Sequence, residues 1–232
     1  MKYIIEPHCH CKETSSCSHI GGAELVRLYK SKNYDAIMIT DHYYSGFFDS
    51  YRKNDKSILW DELADNYLKG YRTAKKEGDN IGVAVLLGIE LRFRENSNDY
   101  LVFGITEEII YKYPDLYEYT PEKFIEFSRS HGLIIIQAHP FRDGMVQRDS
   151  RFLDGIEIYN GHPWHNSRNH LARELYESIA QNQKREYIKI AGSDCHEIGH
   201  EATAGIISDI LPQNSVELKN LIVSGNYGIY IK

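Results

Sequence analysis

Residues 120–142, TPEKFIEFSRSHGLIIIQAHPFR, decide how the rest of the chain is read. Thr120 offers a helix cap, Pro121 fits the first turn and Glu122 adds an acid beside it, so a helix starts here. His131-Gly132 marks its end, where a histidine is favourable on structural grounds alone. Leu133–Ala138 then runs apolar without alternation, as expected of a strand covered on both faces. That strand exits into His139-Pro140, a potential metal ligand where a hydrophobic core needs none.

The same unit recurs in both directions. Further strands are expected at Tyr3–Glu6, Ala36–Thr40, Val83–Ile89, Tyr100–Ile105, Gly155–Tyr159, Ile188–Ala191 and Tyr227–Ile231. Helical spacing appears over Ala23–Lys32, Asp61–Glu77, Asn169–Ile179 and Ser215–Ser224. Alternating strands and helices predict an α/β fold with a parallel sheet and helical crossovers. With no linker, composition break or internal repeat, residues 1–232 read as one domain. The number of units favours a closed or nearly closed barrel of about seven strands, with an open doubly wound parallel sheet as the alternative. A barrel gathers its catalytic residues at the C-terminal ends of its strands.

The polar clusters follow that rule. His8-Cys9-His10, Asp41-His42, Glu90, His139, Asn160 and Gly192-Ser193-Asp194-Cys195-His196 each lie at a strand exit, and Glu157 lies within its strand. Residues i and i+2 of extended chain face the same way, so His8 with His10, and Asp194 with His196, can share an ion. Asp41 and His42 are adjacent and cannot both point inward. His42 is therefore the expected ligand and Asp41 a helper that orients a histidine. Glu90, at the exit of a very apolar strand, needs a metal or a basic neighbour to offset its burial. His170 and His200 read as structural or solvent-facing. His162 and His165 lie just past a strand end and could line a pocket.

Composition narrows the function. Of 232 residues, 42% are hydrophobic and 26% charged, as in ordinary soluble domains. A net charge of −6 and a pI near 6.0 disfavour a stable nucleic-acid complex or attachment to an anionic membrane. The opening MKYIIEPHCH is too short an apolar run for a signal peptide, and no run approaches a membrane span. The expectation is a cytoplasmic protein. Cys9, Cys11, Cys17 and Cys195 are then poor disulfide candidates, and those beside histidines are candidate ligands.

Taken in order, His8-Cys9-His10, Thr40-Asp41-His42, Gly88-Ile89-Glu90, Ala138-His139-Pro140 and Gly192-Ser193-Asp194-Cys195-His196 resemble the PHP (polymerase and histidinol phosphatase) family. The resemblance spans residues 8 to 196. It implies a distorted (β/α)7 barrel holding two or three divalent ions (zinc, manganese or iron) and hydrolysing phosphate esters. Carried over by position, His8, His10, Glu90 and Asp194 would hold one ion. Glu90 would bridge to a second, completed by His139, with Asp99 standing where the family usually has a histidine. His42 and His196 would hold a third. The family's usual acid after His-x-His is missing; Cys17 takes its slot, with His19 two residues on.

Such ions outweigh Glu90, Asp99 and Asp194, leaving a positive site suited to a dianionic phosphomonoester. Ion-bound water ionises near neutral pH, so no covalent nucleophile is required. Arg142 is the expected phosphate clamp, with Arg168 second. The 46–57 segment either covers the site or packs on the core. The expected partner is a small phosphorylated substrate. Phosphodiester cleavage of short nucleic-acid ends and a non-catalytic metal-binding role are the alternatives. An amidohydrolase is disfavoured, because no lysine sits at a strand exit.

Overall fold

The structure is a computed structural model that describes residues 2–182 and 186–232. The chain opens with β1 (Tyr3–Cys9), α1 (Gly22–Ser31), β2 (Ala36–Ile39) and the short β3 (His42–Tyr43). Helices α2 (Ser45–Asn54), α3 (Trp60–Tyr67) and α4 (Lys69–Ile81) lead to β4 (Ala84–Leu87) and β5 (Ile89–Leu91). Next come β6 (Tyr100–Phe103), α5 (Glu107–Lys112), α6 (Pro121–Ser130) and β7 (Ile134–Gln137). The chain continues with β8 (Gly155–Asn160), α7 (Asn169–Asn182), β9 (Ile188–Gly192), β10 (Ala204–Ser208), α8 (Ser215–Ser224) and β11 (Gly228–Ile231).

The 120–142 unit folds as its residues dictate. The Thr120 hydroxyl accepts from the Lys123 amide, Pro121 occupies the first turn of α6, and Phe124, Ile125 and Phe127 turn inward. All four residues of β7 are buried. His131 closes the helix, with one ring nitrogen 2.8 Å from the Phe127 carbonyl and the other 2.8 Å from the Tyr113 hydroxyl. It is structural.

The strands form two sheets, ordered β11-β10-β1-β2-β4 and β3-β5-β6-β7-β8-β9. The pairs β1–β2, β2–β4, β3–β5, β7–β8 and β8–β9 are parallel, whereas β6 runs antiparallel to both its neighbours, as does β10. The sequence-based expectation is a closed or nearly closed barrel; among the described residues no ladder closes one seven-stranded ring, and the strands form two parallel-rich sheets. At one seam, the segments carrying β2 and β4 cross side by side into the second sheet as β3 and β5. Gly88 stands at that crossing. A Cβ there would come 2.2 Å from Met38 Cε and 3.0 Å from Cγ and Sδ, so a larger residue would require the Met38 side chain to shift. The expected single strand over 83–89 is therefore two. At the other seam, Cys9 bridges in parallel to Cys195.

The helical segment 61–77 likewise divides in two, at Leu68. The 46–57 stretch mostly forms α2, which drives Phe47 and Phe48 into a core of Tyr43, Tyr67 and Tyr117; Phe48 stacks on Tyr117 at 5.1 Å. Burying a side chain of this size is worth about 1.5–3 kcal/mol, which holds α2 against the core.

Candidate metal centre

Register brings the ligating residues together. The β3–β5 ladder sets His42 opposite Glu90. The Ala138 amide donates to the Asp99 carbonyl at 3.0 Å, carrying Asp99 beside His139. The Asp194 amide donates to the His8 carbonyl and the His10 amide to the Cys195 carbonyl, at 2.9 and 3.0 Å. Residues 8–10 and 194–196 are thus laced side by side across the seam. His139 and Asp194 both adopt positive φ, 27° and 52°, a strained backbone for non-glycine residues that is found most often at functional sites.

The side chains converge on Glu90 and Asp194. His8 Nε2 lies 3.3 Å from Glu90 Oε1 and 3.4 Å from Asp194 Oδ1, and His10 Nε2 lies 3.2 Å from that same Asp194 oxygen. His139 Nε2 is 3.1 Å from Glu90 Oε1, and His42 Nδ1 is 2.7 Å from Glu90 Oε2. His8 and His10 are fully buried, and the Nε2 atom of each lacks a hydrogen-bond partner. Two buried imidazoles aimed at carboxylates without such bonds are what a cation site requires. Ligand atoms gather within 4.8 Å in the groups His8–His10–Asp194, His10–His42–His196, His8–Glu90–His139 and His42–Glu90–Asp99.

Charge follows this packing. Burial works against ionised Glu90, but His42, His8 and a hydrogen bond from His139 hold its carboxyl well below the usual range. Burial also opposes the charge on Asp194, and His8 and Arg142 overcome it in the same direction. Burial, together with the charges of His196 and His42, holds His10 well below the ordinary histidine value. Its nitrogen is thereby kept free for a ligand.

Cys17 lies at the site's mouth, in a cleft of about 240 Å³ shared with Ser16, His42, Tyr44 and Arg92. Burial raises its thiol, but hydrogen bonding to His196 and His42 outweighs that and brings it down to about 6. His19 is exposed and belongs to none of the ligand groups found among the described residues.

Asp41 reaches the ligands indirectly. Its Oδ1 accepts from the Cys11 amide and the Ser15 hydroxyl, both at 2.7 Å. Ser15 in turn accepts from the His42 amide at 3.0 Å and lies 3.5 Å from His10 Nδ1. Arg142 Nη2 is 2.5 Å from Asp194 Oδ2 and 2.8 Å from Asn160 Oδ1, so its guanidinium is anchored on the Asp194 oxygen that also accepts from Asn160 Nδ2 at 3.1 Å. Arg168 is held by the Phe141 carbonyl and Asp143. Asp99 is paired with a residue sequence reasoning passed over: Arg92 bonds both its oxygens, through Nε and Nη2, at 2.7 Å each.

Two further residues organise the site. Glu157 Oε1 lies 2.9 Å from His8 Nδ1, while its Oε2 accepts from the His139 amide at 2.9 Å and Asn160 Nδ2 at 3.0 Å. Glu6 accepts from the His8 and Ser193 amides and the Tyr29 hydroxyl, and burial pushes it up to about 7. Both acids sit inside otherwise apolar strands, and that was the available signal. His162 packs near His196, His165 and His200, and burial takes it down to about 3.

No protein-family model and no curated protein matches the sequence. Solved structures do. PsfC from Pseudomonas syringae PB-5123 superposes at a TM-score of 0.67 and 17% identity, covering 100% of this chain and 92% of that one. A two-domain protein from Bacteroides vulgatus, containing a predicted PHP-like metal-dependent phosphoesterase, aligns at 0.63 and 13%, over 100% of this chain and 65% of that one. The lesion-specific endonuclease PfuEndoQ from Pyrococcus furiosus aligns at 0.61 and 12%, over 99% and 58%. The likeness carries the fold: this chain is built like PHP-type proteins, and it spans only part of the latter two.

Proposed function

We propose that the chain is a cytoplasmic metal-dependent phosphoesterase that hydrolyses a phosphomonoester of a small metabolite or nucleotide, within a single domain built as a split, distorted form of the seven-unit barrel. One observation carries the reading: metal-ligating side chains from five separate stretches of chain, at 8–10, 42, 90, 139 and 194–196, meet around the buried carboxylates of Glu90 and Asp194, with the Nε2 atoms of His8 and His10 left without a hydrogen bond. Among the described residues no helix is long and apolar enough to cross a membrane.

The donor set fits divalent ions such as zinc, manganese or iron at two places. His8, His10 and Asp194, with Glu90 beside them, would hold one, and His42 and His196 the other, beside the His10 ring, with Cys17, which hydrogen-bonds to both of those histidines, as its further ligand. When bound, such ions supply hydroxide at neutral pH and neutralise phosphoryl charge. The protein's own residues do the positioning. Glu157 holds the His8 ring so that Nε2 faces the site, and Asp41, through Ser15, fixes His10 and His42. Arg142, fixed on Asp194 and Asn160, sets a positive group at the edge where a phosphate would approach. The substrate's charge is then met by a preformed field, and little reorganisation is needed during reaction.

The test is inorganic phosphate release from a panel of phosphomonoesters, nucleotides and dinucleotides, comparing metal-loaded with chelator-stripped protein. Release that vanishes on stripping and returns with metal supports the proposal. Metal-loaded protein that releases nothing from any compound refutes it. Structural likeness to an endonuclease favours a second reading, cleavage of phosphodiesters at short nucleic-acid ends. Dinucleotide turnover without monoester turnover would select it.

A further inference from the structure

Asp99 stands beside His139 and Glu90, where a further ion would be coordinated, but its donor atoms are already used. Arg92 Nε and Nη2 meet Asp99 Oδ1 and Oδ2 at 2.7 Å each, a parallel two-bond fork. Asp99 Oδ2 lies 3.9 Å from His139 Nε2, which instead sits 3.1 Å from Glu90. Asp99 is almost fully buried, so leaving it without that guanidinium would be costly. Arg92 follows Glu90 by two residues on extended chain and so lies on the same face; its amide donates to the Tyr43 carbonyl at 3.1 Å. Its guanidinium lies 5.9 Å from the Tyr44 ring centre and lines the cleft with Ser16, Cys17 and His42. The fork with Asp99 uses Nε and Nη2, so Nη1 takes no part in it.

We infer that Arg92 takes the place of a metal ion at the Glu90–His139–Asp99 corner, so that the chain binds two ions, not three, and grips the substrate's phosphate with a guanidinium held by Asp99. The inference rests on the metal-dependent reading above. A guanidinium is a permanent cation with fixed donor directions, suited to phosphate oxygens, and it needs no loading. Asp99 is thereby a positioning residue for Arg92 and not a metal ligand.

Elemental analysis of the full chain after metal loading and desalting, with calorimetric titration of inorganic phosphate, tests this without recourse to turnover. Wild type should hold two ions per chain, and Asp99→Asn should still hold two. Arg92→Ala should bind phosphate about 10- to 100-fold more weakly, the loss expected for charge-assisted bonds. Arg92→Lys keeps the charge without the fork and should fall between; it also serves if the alanine variant melts early. Three ions in wild type, loss of an ion in Asp99→Asn, or unchanged phosphate affinity in Arg92→Ala would each overturn the inference. Wild type that binds no metal would instead overturn the function proposed above.

Discussion

Glutamine in place of Glu157 would change the size of nothing and the chemistry of one ring. In the native site Oε2 accepts from two donors, the His139 amide and Asn160 Nδ2. An amide at position 157 must therefore place its oxygen there and turn its NH2 toward His8 Nδ1, which is 2.9 Å from the other oxygen. His8 Nδ1 would then have to accept, and a neutral imidazole that accepts at Nδ1 carries its hydrogen on Nε2. Nε2 is the atom facing Glu90 and Asp194. Protonated, it has no lone pair to give an ion. Loss of an orienting partner of this kind typically weakens metal affinity about 10- to 100-fold, or about 1.4–2.8 kcal/mol. Competition against a chromophoric chelator would measure it, with melting of the metal-free protein as a control for stability. A Glu157→Gln protein that binds metal within about twofold of wild type would refute the tautomer argument.

Other expectations follow from the same geometry. Glu90→Ala or Asp194→Ala should reduce phosphate release to background and lower metal content, read by elemental analysis; a fully active, fully loaded variant would remove both from the site. Gly70→Ala in α4 would put a Cβ 2.5 Å from Asp41 Oδ2 and 2.8 Å from Cys11 Cβ. Such overpacking should cost about 1–3 kcal/mol in urea unfolding. Chelation should destabilise the protein: for each site filled at 100 times its dissociation constant the loss is about 2.7 kcal/mol, or about 5–11 °C in a calorimetric melt of a chain this long.

Much of the site was legible because metal-ligating types stood where apolar strands ended, and ladder register then set them side by side. His42 opposite Glu90 is such a case. The antiparallel course of β6 was not legible, since strand direction depends on how the chain returns and not on which residues the strand contains. Nor was the break at Gly88, where the strand passes from one sheet to the other. β10 was missed because Ala204–Ser208 is short and offers little apolar signal before pairing with β1. The partners of Glu157 and Asp99 come from other strands, so the sequence gives their chemistry but not their address. Arg92 carries no sequence signal of its own; its place in the cleft comes from its fork on Asp99.

The seam where residues 8–10 lie against 194–196 also bears on how the molecule is made. A growing chain exposes His8 and His10 well before Asp194 and His196 have been synthesised. Closing so long a loop carries an entropic cost that local helices do not repay in advance. Until then the nascent chain offers a bare His-x-His pair, a weak trap for whatever ion is abundant. On the proposed ligand set, a site able to keep an ion forms only once residues 194–196 have joined residues 8–10, and a chain truncated before residue 194 should not retain one.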